Sequence, residues 1–151
     1  MRLEHLAVWT RDADSLERLR AFYVTHFGAV AGPRYASARR PGFLSYFLRF
    51  PAPGPDDAPG ARLELMTAPD LAAVDLAAPA RGESIGYAHL ALAVGDRAAV
   101  DALVARLRAA GVPVLSGPRE TGDGYYEAAV RDPDGNLVEV MADPRAAPGV
   151  R

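Results

Sequence analysis

Cysteine is absent from the 151 residues, which excludes a disulfide framework and a thiolate metal site. Any metal held here has to draw its ligands from His, Asp, Glu and water. Long apolar runs are missing as well. Nowhere do about eighteen apolar residues follow one another without a charge or a proline, and the N-terminus enters a strand pattern without a basic segment and apolar run ahead of it. Neither a membrane span nor a secretory leader is expected. Nor is there an excess of one charge: 17 Lys and Arg stand against 19 Asp and Glu, a formal net charge of −2, with the arginines dispersed along the chain. With a pI near 5.9, no basic field suggests a nucleic-acid partner held through phosphates. These absences lead to the expectation of a cytoplasmic protein whose partner is a small molecule.

What is present is one unit written twice. His5-Leu6-Ala7-Val8 matches His89-Leu90-Ala91-Leu92, and Arg62-Leu63-Glu64-Leu65-Met66 anticipates Leu137-Val138-Glu139-Val140-Met141. The landmarks between them keep register, as a duplication requires. A Gly-Pro begins at Gly32, 27 residues after His5, and at Gly117, 28 residues after His89; Gly28 and Gly111 fall at offsets of 23 and 22. Only the last interval differs, 59 residues from His5 to Glu64 against 50 from His89 to Glu139. The excess of nine is close to the Pro- and Gly-rich stretch Pro51 to Gly60, which reads as a loop inserted into the first copy.

Each copy reads as βαβββ. A strand over Leu3 to Thr10 is followed by a helix that Asp12 or Asp14 can cap, with Leu16, Leu19, Arg20, Phe22, Tyr23 and Phe27 as its buried stripe and Gly28 as its stop. In the second copy Gly86 to Val94 is the strand, Asp96 the cap, Val100, Leu103, Val104 and Leu107 the stripe, and Gly111 the stop. Three strands follow each helix: 29–31, 43–50 and 62–66, then 113–116, 125–131 and 136–141. Asp132-Pro133-Asp134-Gly135 predicts a tight hairpin. The expected organisation is a first module over residues 1–68, a linker over 69–85, a second module over 86–142 and a loose tail over 143–151.

Strand alternation sets Leu63 and Leu65 against the helix-covered core and turns Glu64 to the other face; Val138 and Val140 do the same to Glu139. A carboxylate among apolar residues costs several kcal/mol unless it is paired or bound to a cation. His5 and His89 hold matching positions on the first strand of each copy. If the copies face each other about a pseudo-twofold, two His and two Glu converge and suit a divalent ion of borderline N/O preference, octahedral with two positions for water. His26 has no counterpart in the second copy and reads as a cation near a helix C-terminus. Trp9, Tyr46, Tyr125 and Tyr126, with Phe43 and Phe47, could wall a substrate cavity, and Arg119, read as a loop residue, could receive an anionic substrate group.

With these paired units and the run Asp132-Pro133-Asp134-Gly135-Asn136 leading to Glu139, the chain resembles the vicinal oxygen chelate superfamily: glyoxalase I, methylmalonyl-CoA epimerase, extradiol dioxygenases, and fosfomycin- and bleomycin-resistance proteins. The resemblance covers residues 1 to about 142. It implies an α+β fold of two tandem βαβββ modules pairing into a curved mixed sheet around a metal site, and a homodimer. Glu64 as the second ligand is similar to glyoxalase I. That implies Ni, Co or Zn, with Mn or Fe as alternatives, and a lyase or isomerase that abstracts a proton next to a carbonyl and stabilises an enediolate. The resemblance assigns Glu139 as base and Glu64 as its counterpart. An Fe(II) extradiol dioxygenase using His5, His89 and Glu139, and an antibiotic-type binding protein, are the alternatives. Bacterial glyoxalase I enzymes place an arginine for the glutathione carboxylate four residues after the first His; Trp9 stands there in this chain, so the resemblance does not extend to glutathione.

Overall fold

The computed structural model describes residues 3–51, 60–72 and 86–143. The body of the inserted loop, most of the expected linker and the tail after Asp143 lie outside the described residues. The chain divides into two compact units, Met1–Asp75 and Leu76–Arg151.

In the first unit β1 (His5–Trp9) leads into α1 (Ala13–Phe27), followed by β2 (Val30–Ala31), β3 (Tyr35–Ala36), β4 (Leu44–Arg49) and β5 (Arg62–Thr67). Asp12 is the helix cap, its carboxylate accepting from the Ser15 amide at 2.7 Å. Gly28 ends the helix in the left-handed region at φ 66°, a conformation that costs glycine nothing. The sheet is mixed. β1 runs parallel to β5, β5 antiparallel to β4, and β2 and β3 both pair with β4. The two-residue β3 is an addition to the expected four strands.

The second unit carries β6 (Leu90–Ala93), α2 (Arg97–Ala109), β7 (Val114–Glu120), β8 (Tyr126–Arg131) and β9 (Leu137–Met141). Asp96 caps α2 through the Ala99 amide at 2.9 Å. Ala110 closes the helix, and Gly111 after it takes the left-handed turn at φ 77°. The strand order β6-β9-β8-β7 repeats the β1-β5-β4-β2 order of the first unit, again with a parallel first pair. The α+β class and the repeated module therefore hold, as two separately hydrogen-bonded mixed sheets. Among the described residues no helix is long and apolar enough to cross a membrane.

In each unit the helix covers one sheet face. Leu16 and Leu19 of α1 are fully buried with Leu48, Leu63 and Leu65, and Val100, Val104 and Leu107 of α2 with Val130, Val138 and Val140. The opposite face of each sheet is left for other uses.

The β8–β9 hairpin is fixed by a buried carboxylate. Asp132, 4% exposed, accepts from the Asp134 and Asn136 amides at 3.0 and 2.9 Å and from the Asn136 side-chain amide at 2.9 Å. Gly135, at φ 86°, completes the turn. Replacing Asp132 by Ala strands three donors, so Asp132→Ala should lower the unfolding free energy in urea by about 2 kcal/mol. A change within experimental error would show that the turn holds itself.

Candidate functional site

The pleat of β1 turns His5, Ala7 and Trp9 to the open face, while Leu6 and Val8 turn inward. On β5, beside it, Arg62, Glu64 and Met66 are the outward residues. His5 and Glu64 meet there, Nε2 to Oε2 at 3.7 Å. The other ring nitrogen is engaged: His5 Nδ1 contacts the carboxylate of Glu4, which also contacts the Arg62 guanidinium. The hydrogen bond from His5, together with that from Arg62, holds the Glu4 carboxyl below its ordinary value. Glu4 is therefore an ionised acceptor near neutral pH, and the proton in that contact belongs to His5 Nδ1. His5 Nε2 in turn faces the Glu64 carboxylate, and a proton or a cation between them would satisfy both.

Phe47 frames the same corner. His5 meets its ring edge-on at 5.4 Å, and the Arg62 guanidinium lies over it at 4.1 Å. A cavity of about 700 Å³ opens against this face, lined by Tyr35, Phe43, Phe47, Arg49, Arg62 and Glu64 among others.

The second unit repeats the His–Glu pair. His89 Nε2 stands 3.2 Å from Glu139 Oε2, with the carboxylate side chain only 20% exposed. His89 is not within a strand, as its sequence position suggested; the β6–β9 ladder begins one residue later, at Leu90 opposite Val138. Its register partner, Leu137, is the first residue of β9, directly after the hairpin residue Asn136. In the first unit the ladder extends far enough to include His5, because the Arg62 amide donates to the Glu4 carbonyl at 2.9 Å. Each unit thus holds one His–Glu pair, and among the described residues no group of three or more His, Asp or Glu is arranged to hold a metal ion.

The model of the Glyoxalase/Bleomycin resistance protein/Dioxygenase superfamily matches residues 2–140. The chain belongs to that superfamily. An uncharacterized Pseudomonas aeruginosa protein, PA2024, is 33% identical over 147 residues, covering 97% of this chain and 92% of its own. The trypanothione-dependent glyoxalase I of Leishmania major superposes with a TM-score of 0.59 at 26% identity, over 92% of this chain and 86% of its own. A glyoxylase/bleomycin resistance protein/dioxygenase domain from Frankia sp. EAN1pec gives a TM-score of 0.65 at 21% identity, over 94% and 97%. This last likeness speaks for the fold.

For this superfamily member the expected substrate contacts need redistribution. Trp9 stays on the open face, 46% exposed, with Phe43 edge-on at 5.9 Å. Tyr46 does not face the cavity. It shares alternation with Leu44 and Leu48, pairs with buried Leu65, and its hydroxyl donates to Glu17 of α1 at 2.7 Å. Tyr126 likewise turns to its helix and donates to Asp101 of α2 at 2.8 Å. Arg119 is a strand residue of β7, not a loop residue; it lies opposite Glu127 and donates to it at 3.2 Å. Tyr125 closes the β7–β8 turn, its amide bonded to Thr121 Oγ1 at 2.9 Å. Glu4, Arg49 and Arg62 were passed over. For Arg49 and Arg62 the signal was there, since each is an even number of residues from Phe47 or Glu64 along its own strand.

The relocated Tyr46 carries a measurable consequence. Its hydroxyl, then the Arg20 guanidinium, holds the Glu17 carboxyl below its ordinary 4.5, so this pairing stabilises the fold above that pH and the benefit is lost as pH falls through the folded value. Glu17 is 40% exposed, which keeps the effect small. Tyr46→Phe should cost about 0.5 kcal/mol at pH 7 in chemical denaturation, with the difference closing in acid. A gap independent of pH would mean that Tyr46 contributes packing alone.

Proposed function

We propose that this protein is a divalent-metal-dependent lyase or isomerase of glyoxalase I type, with His5, Glu64, His89 and Glu139 as ligands. The observation that carries the reading is the pairing of an imidazole Nε2 with a carboxylate Oε2 in both units, sharpened at His5, where Glu4 occupies the other nitrogen. Nitrogen and oxygen donors without sulfur fit a borderline cation such as Ni, Co or Zn, and Mn or Fe are compatible. Glu4 behind His5 is the outer carboxylate that fixes ring orientation and tautomer in such sites.

One unit supplies two donors, so a complete set takes both pairs, joined within a chain or exchanged between the chains of a homodimer. A bound ion would lower the cost of the negative charge that develops on a substrate oxygen when the neighbouring C–H is ionised. Glu139 accepts that proton, and Glu64 is its counterpart for returning it. The small-molecule substrate carries its C–H next to a carbonyl. Trp9 stands where an arginine for glutathione would be expected, which points to a substrate other than a glutathione adduct.

Elemental analysis of protein purified without chelator should give one Ni, Co or Zn per ligand set, and His89→Ala should lose most of it while retaining the circular dichroism of the wild type. Glu139→Gln keeps an oxygen donor but accepts no proton near neutral pH. It should retain much of the metal and lose at least about 10²-fold in exchange of α-protons with solvent deuterium across a panel of α-hydroxy carbonyls. Undiminished metal in His89→Ala would end the ligand assignment. Oxygen-labile Fe(II) with no proton exchange would replace the isomerase by a dioxygenase.

A further inference from the structure

The cavity of the first unit carries a charge arrangement that the proposed chemistry does not use. β4 and β5 pair with Leu48 opposite Leu63, and continuing this antiparallel register by one residue brings Arg49 opposite Arg62. Both line the cavity. Like charges directly opposed across two strands destabilise a sheet unless something neutralises them. Glu4 answers Arg62. Arg49 has no carboxylate partner among the described residues, and it is exposed on the open face.

The second unit puts the matching position to a different use. Aligning Glu64 with Glu139 matches Arg49 with Arg131 and Phe47 with Ala129. Arg131 donates to the Gly135 carbonyl and so belongs to the hairpin. Arg49 makes no such bond among the described residues, and the aromatic ring two residues before it, Phe47, is Ala129 in the other copy. The first unit therefore differs in a cation that has no carboxylate partner among the described residues and in the Phe47 ring, which joins Tyr35 and Phe43 as an apolar wall.

From these features we infer that the cavity takes a small carboxylic acid with an apolar, ring-sized body, its carboxylate held by Arg49 beside Arg62 and its body lying against Phe43 and Phe47. A volume of about 700 Å³ suits a ligand of this size. The guanidinium fork matches the two carboxylate oxygens. Arg62 is answered by Glu4 and Glu64 faces His5, which leaves Arg49 as the cation to be matched, so one negative charge on the ligand is favoured over two. This names the substrate class of the proposed function and rests on that reading for the chemistry, but the recognition stands apart from the metal.

The test uses phenylacetate, which carries the ring and the carboxylate but no vicinal oxygens to chelate a metal, against neutral phenylacetamide and dianionic phenyl phosphate. Binding to the full chain is followed by NMR titration and calorimetry, with the metal present and after chelation. Phenylacetate should bind saturably in both states, at least about tenfold more tightly than the amide. Arg49→Gln should remove that preference while leaving amide binding, melting temperature and metal content unchanged, and Arg49→Lys should restore part of it. Equal affinity for acid and amide, an unaltered preference in Arg49→Gln, tighter binding of phenyl phosphate, or no saturable binding at millimolar concentration would each overturn the inference. A wild type that shows no preference for the acid while its metal and proton exchange are intact strikes this inference alone, whereas absence of metal with phenylacetate still bound strikes the proposed function alone.

Discussion

The two-residue period of β5 and β9 is the constraint on which the rest of the molecule depends. Leu63 and Leu65, and Val138 and Val140, are buried beneath their helices, so the residue between each pair has to face the other way. A slip of one residue would expose two apolar side chains worth about 1.5–3 kcal/mol each and push a carboxylate into the core at several kcal/mol more. Core packing thereby fixes the carboxylate on the open face. The parallel neighbour β1, and the residue just before β6, then bring a histidine alongside each carboxylate, and the helices capped by Asp12 and Asp96 close the far side. Chemistry on one face is positioned by hydrophobic burial on the other.

A duplicated chain starts with two equivalent faces, and the differences between them show how they have been put to use. Glu4 precedes His5 where Ala88 precedes His89, Arg62 stands where Leu137 does, and Phe47 where Ala129 does. In the first unit these residues form one connected group: Glu4 orients His5 and restrains Arg62, which lies over Phe47, which meets His5 edge-on. In the second unit the polar residues near the corresponding strand ends, Arg131 and Asp132, are spent on the hairpin. One copy keeps a short turn and a compact face. The other, whose β4–β5 connection holds the insertion, has an aromatic cavity beside its His–Glu pair.

Elements set by a local period or a local cap were legible in the sequence. The apolar stripes of both helices, the two capping aspartates, the outward turn of Glu64 and Glu139 and the Asp132 hairpin all follow from neighbours a few residues apart. What escaped depended on the partner strand or on irregular pairing. β3 is two residues long and exists only because the edge of β4 is free to pair with it. Gly117 and Pro118 suggested a loop before Arg119, but β7 absorbs them through register shifts between Val114 and Ser116 and between Ser116 and Arg119, irregularities that let a residue without an amide donor sit in a strand. Tyr46 has the aromatic character of a cavity wall, but counting by twos from Leu48 places it under the helix, and alternation decides.

The electrostatics of the open faces are local. With a net charge of −2 the chain as a whole does not attract acids. At physiological ionic strength, however, exposed charges are screened beyond about 8 Å, so what a ligand meets is set by the few groups around the cavity. There Glu64 and the two arginines alternate in sign along β4 and β5. Each group has a distinct geometric restraint: Glu64 by His5, Arg62 by Glu4 and the Phe47 ring, and Arg49, among the described residues, by its backbone pairing to Val30. A guanidinium stacked on an aromatic face keeps its edge donors in a fixed plane, while one without a partner keeps its rotamer freedom until something binds. The restrained members of this group define where a substrate's reacting end can sit, and the unrestrained one is the member whose ordering depends on what the substrate brings.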